Sequence, residues 1–243
     1  MLLNSTKAAL IDKILMSPEY GYTLEQLMEL AGLSCALSIN QEYFSNQGNQ
    51  KIFIIAGPGN NGGDGLVCAR HLKIFGWEPI VYYPNAEKLT TKQPFFGSLV
   101  KTLEEMYGIC VIKETLSAEK LQTHLDDHKF VVDSIFGFSF KPPMKQGVYQ
   151  EIVEKLVENE GKFKLLSIDS PSGWDVDKGP TSNCHKLDPD FLISLTYPKL
   201  NSKFLKPNSV HYCGGRFISS KFAEKFEIIP LNYDKGSLII KID

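Results

Sequence analysis

Lys51-Ile52-Phe53-Ile54-Ile55-Ala56-Gly57-Pro58-Gly59-Asn60-Asn61-Gly62-Gly63-Asp64-Gly65 is the stretch that decides how this chain folds. Residues 51–56 form an apolar run too short and too β-branched for a helix, and they read as a buried parallel strand. After the glycines, Leu66 to Phe75 has the pattern of a helix closed by Gly76, and Pro79 to Pro84 is a second strand. The unit is therefore strand, turn, helix, strand. Its turn opens a helix, where backbone N–H groups are free and the helix dipole favours an anion. Gly59, Gly62, Gly63 and Gly65 let the backbone approach a ligand closely. The spacing is neither G-x-G-x-x-G nor G-x-x-x-x-G-K-[ST], so a standard dinucleotide finger or phosphate loop is not supported. A tight connection capped by Asn or Asp would explain the glycines alone. The amides Asn60 and Asn61 and the carboxylate Asp64 among them favour ligand binding.

The alternation extends in both directions. Helices are predicted at 94–107, 117–126 and 148–159, and strands at 110–113, 130–133, 164–169 and 191–196. Upstream, residues 6–16 have helical periodicity, broken by Pro18 and Gly21. Thr23 then opens a helix, with Gln26 completing a capping box, that runs to about Phe44. That helix packs on the core and could also form part of a subunit interface. Strands alternating with helices imply a mostly parallel sheet covered on both faces, an α/β fold. No repeat or linker interrupts residues 1–243, which are expected to form one domain.

Lys and Arg total 26 against 28 Asp and Glu, a net charge of −2. That balance argues against a nucleic-acid partner and against an electrostatic membrane binder. No apolar run approaches the 18 or so residues of a membrane helix. Cys35, Cys68, Cys110, Cys184 and Cys213 are scattered and odd in number, which suits a reducing compartment better than disulfides or zinc. With no signal or transit peptide in view, the chain is expected to be complete and cytoplasmic.

Two further segments carry chemistry. In Val131-Val132-Asp133-Ser134-Ile135-Phe136-Gly137-Phe138-Ser139-Phe140-Lys141-Pro142-Pro143, an acid ends an apolar strand. Ligands of open α/β sheets sit outside the carboxyl ends of the strands, so Asp133 is expected on the edge of the glycine turn. The aromatic loop after it could pack a flat, pyridine-like ligand, with Lys141 supplying a cation or proton, although Phe136, Phe138 and Phe140 could equally contribute to the core. In Ser167-Ile168-Asp169-Ser170-Pro171-Ser172-Gly173-Trp174, a second strand ends in an aspartate. Two such carboxylates can provide a metal ligand and a general base. Asp175 to Gly179 is expected to be a surface turn, since it lacks the rest of a calcium loop. His124 and His128 lie in a polar stretch and read as a solvated face; His71 reads as structural, and neither His185 nor His211 suggests a role. No G-x-S-x-G elbow is present.

Ala56 to Gly65, with Cys68-Ala69-Arg70-His71-Leu72, resembles the signature of the YjeF N-terminal domain family. The resemblance continues through Asp133 to Lys141, Asp169 to Val176, Ser194-Leu195-Thr196-Tyr197-Pro198-Lys199 and Tyr212 to Phe217, so it covers essentially the whole chain. It implies a Rossmann-like three-layer α/β/α sandwich with N-terminal helices. It also implies an isomerase that interconverts the R and S forms of hydrated NADH or NADPH (NADHX, NADPHX). A separate dehydratase, specific for the S form, would then restore the cofactor. The hydrated dinucleotide is substrate rather than cofactor. By the same resemblance Asn60, Asn61, Gly62, Gly63 and Asp64 grip it, while Gly137, Phe138, Ser139, Phe140, Lys141, Pro142, Pro143 and Asp169 line its site. Asn61, Asp133 and Ser172 would ligate one potassium ion per subunit, an oxygen-only set suited to a hard cation. A homodimer through the N-terminal helices is likewise implied.

The chemistry can be argued from the substrate. The hydrated carbon bears both a ring nitrogen and a hydroxyl. Its inversion therefore needs no C–H cleavage: the hydroxyl leaves as water, assisted by the nitrogen lone pair, and water returns to the other face. Ring opening and reclosure would give the same result. Either route needs an acid and a base, assigned here to Asp169 as base and Lys141 as proton donor or electrostatic aid. Pro142 and Pro143 depart from the polar or glycine residues of many relatives, and Ser170 replaces an aliphatic residue. The rival reading is a non-catalytic dimerisation module, as in an mRNA-decapping scaffold.

Overall fold

Ile52, Ile54 and Ala56 pack into one hydrophobic cluster and Phe53 and Ile55 into another, so the first strand is buried on both sides. This is the behaviour of a central parallel strand. The computed structural model describes residues 1–44, 50–181 and 186–242, which leaves Cys184 and His185 outside the described residues. Its strands are β1 (Gln50–Ala56), β2 (Trp77–Tyr82), β3 (Cys110–Ile112), β4 (Phe130–Ser134), β5 (Lys164–Ile168), β6 (Phe191–Leu195), β7 (Val210–Gly214) and β8 (Ile239–Lys241). They form one sheet in the order β3-β2-β1-β4-β5-β6-β7-β8. Every pairing is parallel except β7 with β8.

Helices α1 (Ser5–Leu15), α2 (Leu24–Tyr43), α3 (Asn60–Ile74), α4 (Ala86–Lys92) and α5 (Pro94–Lys101) precede β3, and α6 (Ala118–Asp127), α7 (Val148–Glu158) and α8 (Ser220–Lys225) follow it. The larger cluster joins α1, α2, α3 and α5 to one face of the sheet, and the smaller joins α6 and α7 to the other. The result is the three-layer α/β/α sandwich of a Rossmann-like fold.

Thr23 caps α2 with the expected capping box. The helix expected at 94–107 changes character partway: α5 stops at Lys101 and a π-helical turn spans Thr102–Met106. Cys35, Cys68, Cys110 and Cys213 are free thiols. His124 and His128 do not form the solvated face expected of them. His124 stacks on Phe53 at 4.9 Å, and His128 is buried with Nδ1 2.7 Å from the His124 carbonyl. The polar Asp126 and Asp127 face outward on the same turn, which misled the local reading.

Candidate active site

The chain order reverses between β1 and β4, so the connections leaving these neighbouring strands diverge and open a crevice at their carboxyl ends. Both expected loops sit there. The helix after β1 begins at Asn60 rather than Leu66, so Asn60, Asn61, Gly62, Gly63 and Asp64 form its first turn behind the N-cap Gly59. Among the described residues no side-chain hydrogen bond caps that end. A Cβ on Gly57 would stand 1.8 Å from the Ile135 carbonyl oxygen, and one on Gly62 would stand 2.0 Å from the Gly57 oxygen. Only glycines allow β1, α3 and the β4 loop to touch through backbone.

A cavity of about 290 Å³ fills the crevice. The turn contributes Asn60, Asn61 and Asp64, the β4 loop Gly137, Phe138 and Ser139, and the end of β5 Asp169. Thr196 and Lys199 reach it from beyond β6, Asp12 from α1, and Met28 from α2. Phe140, Lys141 and Pro143 line a second cavity of about 550 Å³, which shares Pro58, Phe136 and Ser139 with the first. Pro142 lines neither, and the Pro142–Pro143 bond is cis. Lys141 is exposed and does not line the inner cavity.

The cation at Asp169 is Lys199. Its ammonium pairs with Asp169 Oδ1 and donates to the Leu195 carbonyl at 2.7 Å. Asp169 Oδ2 accepts the Phe138 N–H at 2.8 Å, and the ammonium lies 5.3 Å from the Phe138 ring centre. Asp169 has φ of 67° and Thr196 has φ of 68°, both left-handed. Two strained non-glycine residues at one cavity mark a site where geometry outranks local comfort.

Asp64 is held well above the usual carboxylate range by burial, with Asp169 and Asp12 raising it further and Lys199 opposing. Burial lifts Asp12 to about 6, Lys199 opposes that rise, and Asp169 adds to it. His211, 2.9 Å from the Ser194 hydroxyl, is pushed down to about 4 by burial and by Lys199, so it stays neutral. Carboxylates with separated acidities around one cavity are the means for acid–base chemistry.

Asp133 and Ser172 lie beneath the cavity rather than on its wall. Asp133 is 0% exposed and accepts four hydrogen bonds: Ile135 N–H and Ser172 Oγ–H on Oδ1, Ser167 Oγ–H and Ser172 N–H on Oδ2. Burial nevertheless raises its pKa, opposed chiefly by hydrogen bonds from Ser172, Ile135 and Ser167. Asn61 Oδ1 and Nδ2 are buried without a hydrogen-bond partner among the described residues. A fully desolvated carboxylate with no ion-pair partner among the described residues, together with an orphaned amide oxygen, fits a weakly charged, oxygen-seeking cation. Among the described residues no cluster of three or more His, Cys, Asp or Glu offers a transition-metal site.

Sequence reasoning gave no role to Asp12 and took Lys199 only as part of a motif. Lys199 had a signal: like Asp133 and Asp169, it follows the carboxyl end of a parallel strand. Asp12 had none, because it sits among apolar residues on a helix far away in the chain.

Three carboxylates and one buried lysine at a switch-point crevice, at the head of a glycine-rich helix, define an acid–base enzyme on a Rossmann-like fold. The chain belongs to the family described as YjeF-related protein N-terminus, whose pattern matches residues 24–201. It is 42% identical to an NAD(P)H-hydrate epimerase of Saccharomyces cerevisiae, over 99% of this chain and 98% of that one. An NAD(P)H-hydrate epimerase of Aedes aegypti is also 42% identical, with 99% and 98% covered. The crystal structure of yeast ynu0, YNL200c, superimposes with a TM-score of 0.89 at 43% identity, covering 100% of each chain. No helix among the described residues is long and apolar enough to cross a membrane.

Proposed function

We propose that this chain is an NAD(P)H-hydrate epimerase, interconverting R and S forms of NADHX and NADPHX as one domain of residues 1–243. The cavity that gathers Asp64, Asp169 and Lys199 in front of the α3 N-terminus carries the reading. The hydrated ring enters this inner cavity, and the rest of the dinucleotide extends into the larger one past Phe136 and Phe140. Asp64 keeps its proton through burial and gives it to the departing hydroxyl. Asp169, its carboxylate oriented by Lys199 and the Phe138 N–H, takes a proton from the entering water. In this reading Asp64 and Lys199 take the proton-donor and electrostatic parts expected of Lys141.

Asn61, Asp133 and Ser172 would hold potassium, which would supply a fixed positive charge under the turn that grips the substrate. A homodimer, a cytoplasmic location and a separate S-specific dehydratase complete the reading. A non-catalytic module gives no account of ionisable groups desolvated around one cavity. The test mixes R-hydrate, this protein and an S-specific dehydratase, with and without potassium. Recovery of reduced cofactor beyond spontaneous epimerisation is expected; no recovery in either condition would sink the proposal.

A further inference from the structure

An inversion that uses one proton carrier per face leaves the enzyme changed. As the C–O bond breaks, the hydroxyl takes a proton from Asp64 and leaves as water, while the nitrogen lone pair forms C=N. A water then forms the new C–O bond on the other face, the C=N pair returns to nitrogen, and the water's proton passes to Asp169. The substrate is balanced, but one proton has moved from Asp64 to Asp169. It must return before the next turnover in the same direction. Direct exchange with solvent is poorly served, since Asp64 is 9% exposed and Asp169 is 4% exposed.

One more carboxylate lines the cavity. We propose, building on the epimerase reading, that Asp12 is the relay that carries this proton back, a third functional carboxylate supplied by α1. Asp12 lines the cavity and is only partly buried, more open to water than Asp64 or Asp169. The charged groups acting on it are Lys199 and Asp169, and it acts in turn on Asp64. The neighbouring Lys13 on its own helix is exposed. Its acidity is set by burial and these charges rather than by a hydrogen bond, and it falls at about 6, where uptake and release are both accessible near neutral pH.

Its position is fixed by the fold. Leu3 forms a parallel bridge with Lys199: Leu3 N–H donates to the Pro198 carbonyl and Leu200 N–H to the Leu3 carbonyl, both at 2.9 Å. Asn4 caps α1 by accepting the Lys7 N–H at 2.8 Å, and Ser5 donates to both carboxylate oxygens of Asp177. Ala8, Ile11 and Leu15 anchor the buried face. The helix that carries Asp12 is thereby registered to the lysine that serves Asp169.

The test follows R-to-S turnover of Asp12→Asn at saturating and at limiting substrate, in dilute buffer. A relay acts between turnovers, so kcat is expected to fall about tenfold or more while kcat/KM stays within about twofold. Raising the concentration of a small buffer of pKa near 6 should restore kcat, and Asp12→Glu should retain it. An unchanged kcat overturns the relay, as does an equal fall in kcat and kcat/KM without buffer rescue. An inactive wild-type chain overturns instead the reading on which the relay rests.

Discussion

The ammonium of Lys199 pairs with Asp169 Oδ1 across thirty residues of sequence, with the two side chains only 3% and 6% exposed. Removing one member of such a pair leaves the other buried and uncompensated. Lys199→Met is expected to cost about 3–5 kcal/mol of stability, seen in denaturant or thermal unfolding, and to abolish epimerisation. Lys141→Ala, at an exposed position, should change stability by no more than about 0.5 kcal/mol. Equal effects at the two lysines would contradict this division of roles.

Asp64→Asn keeps the shape of the turn and removes its transferable proton. A loss of about 10²–10⁴ in kcat is expected, with little change in fold by circular dichroism. A variant of normal activity would take Asp64 out of the chemistry.

Ser172→Ala withdraws the hydroxyl that serves Asp133 Oδ1 and accepts the Phe136 N–H at 2.9 Å. The buried carboxylate left short of a donor should cost about 1–3 kcal/mol. Potassium in place of a bulky organic cation should raise the wild-type melting temperature in a concentration-dependent way. Asn61→Ala should remove that dependence; if the variant still responds like wild type, the ion lies elsewhere.

Gly57→Ala places a methyl 1.8 Å from the Ile135 carbonyl oxygen, a contact only backbone movement can relieve. Destabilisation beyond about 4 kcal/mol, or failure to yield folded protein, is expected. Near-normal unfolding would show that the β1 and β4 ends can separate.

Asp12 binds its proton more tightly folded than unfolded, about 6 against the ordinary 3.8. The native state therefore holds more protons between these values, and stability contributed by this group is lost as pH rises through about 4 to 6. Asp12→Asn should flatten that decline, gaining up to about 3 kcal/mol over wild type at pH 8. Urea unfolding at pH 4 and pH 8 measures it; a gain equal at both would contradict the titration.

The order of strands through β6 was legible because parallel strands buried on both sides are continuous apolar runs, as in 51–56, whereas the short polar helix α4 was not. The turn's importance was legible from glycines beside amides. β7 and β8 were not. Val210–Gly214 carries His211 and two small or polar neighbours, and Ile239–Lys241 is three residues long, so both owe their form to pairing rather than local pattern. The site divided the same way. Asp133 and Asp169 announce themselves by ending apolar strands, whereas Asp12 comes to the cavity from a distant helix that long-range contacts such as the Leu3–Lys199 bridge hold in place.

That stitch also orders events at the ribosome. Leu3 is made 196 residues before its bridge partner Lys199. Until then α1 lacks the backbone stitch that registers it to the cavity. A nascent chain of this fold thus carries α1, with its apolar Ile11 and Leu15, unstitched while the residues between it and Lys199 are made, the kind of segment holding chaperones bind. Slowing elongation before residue 199 should lower the yield of native protein more than slowing it after that point.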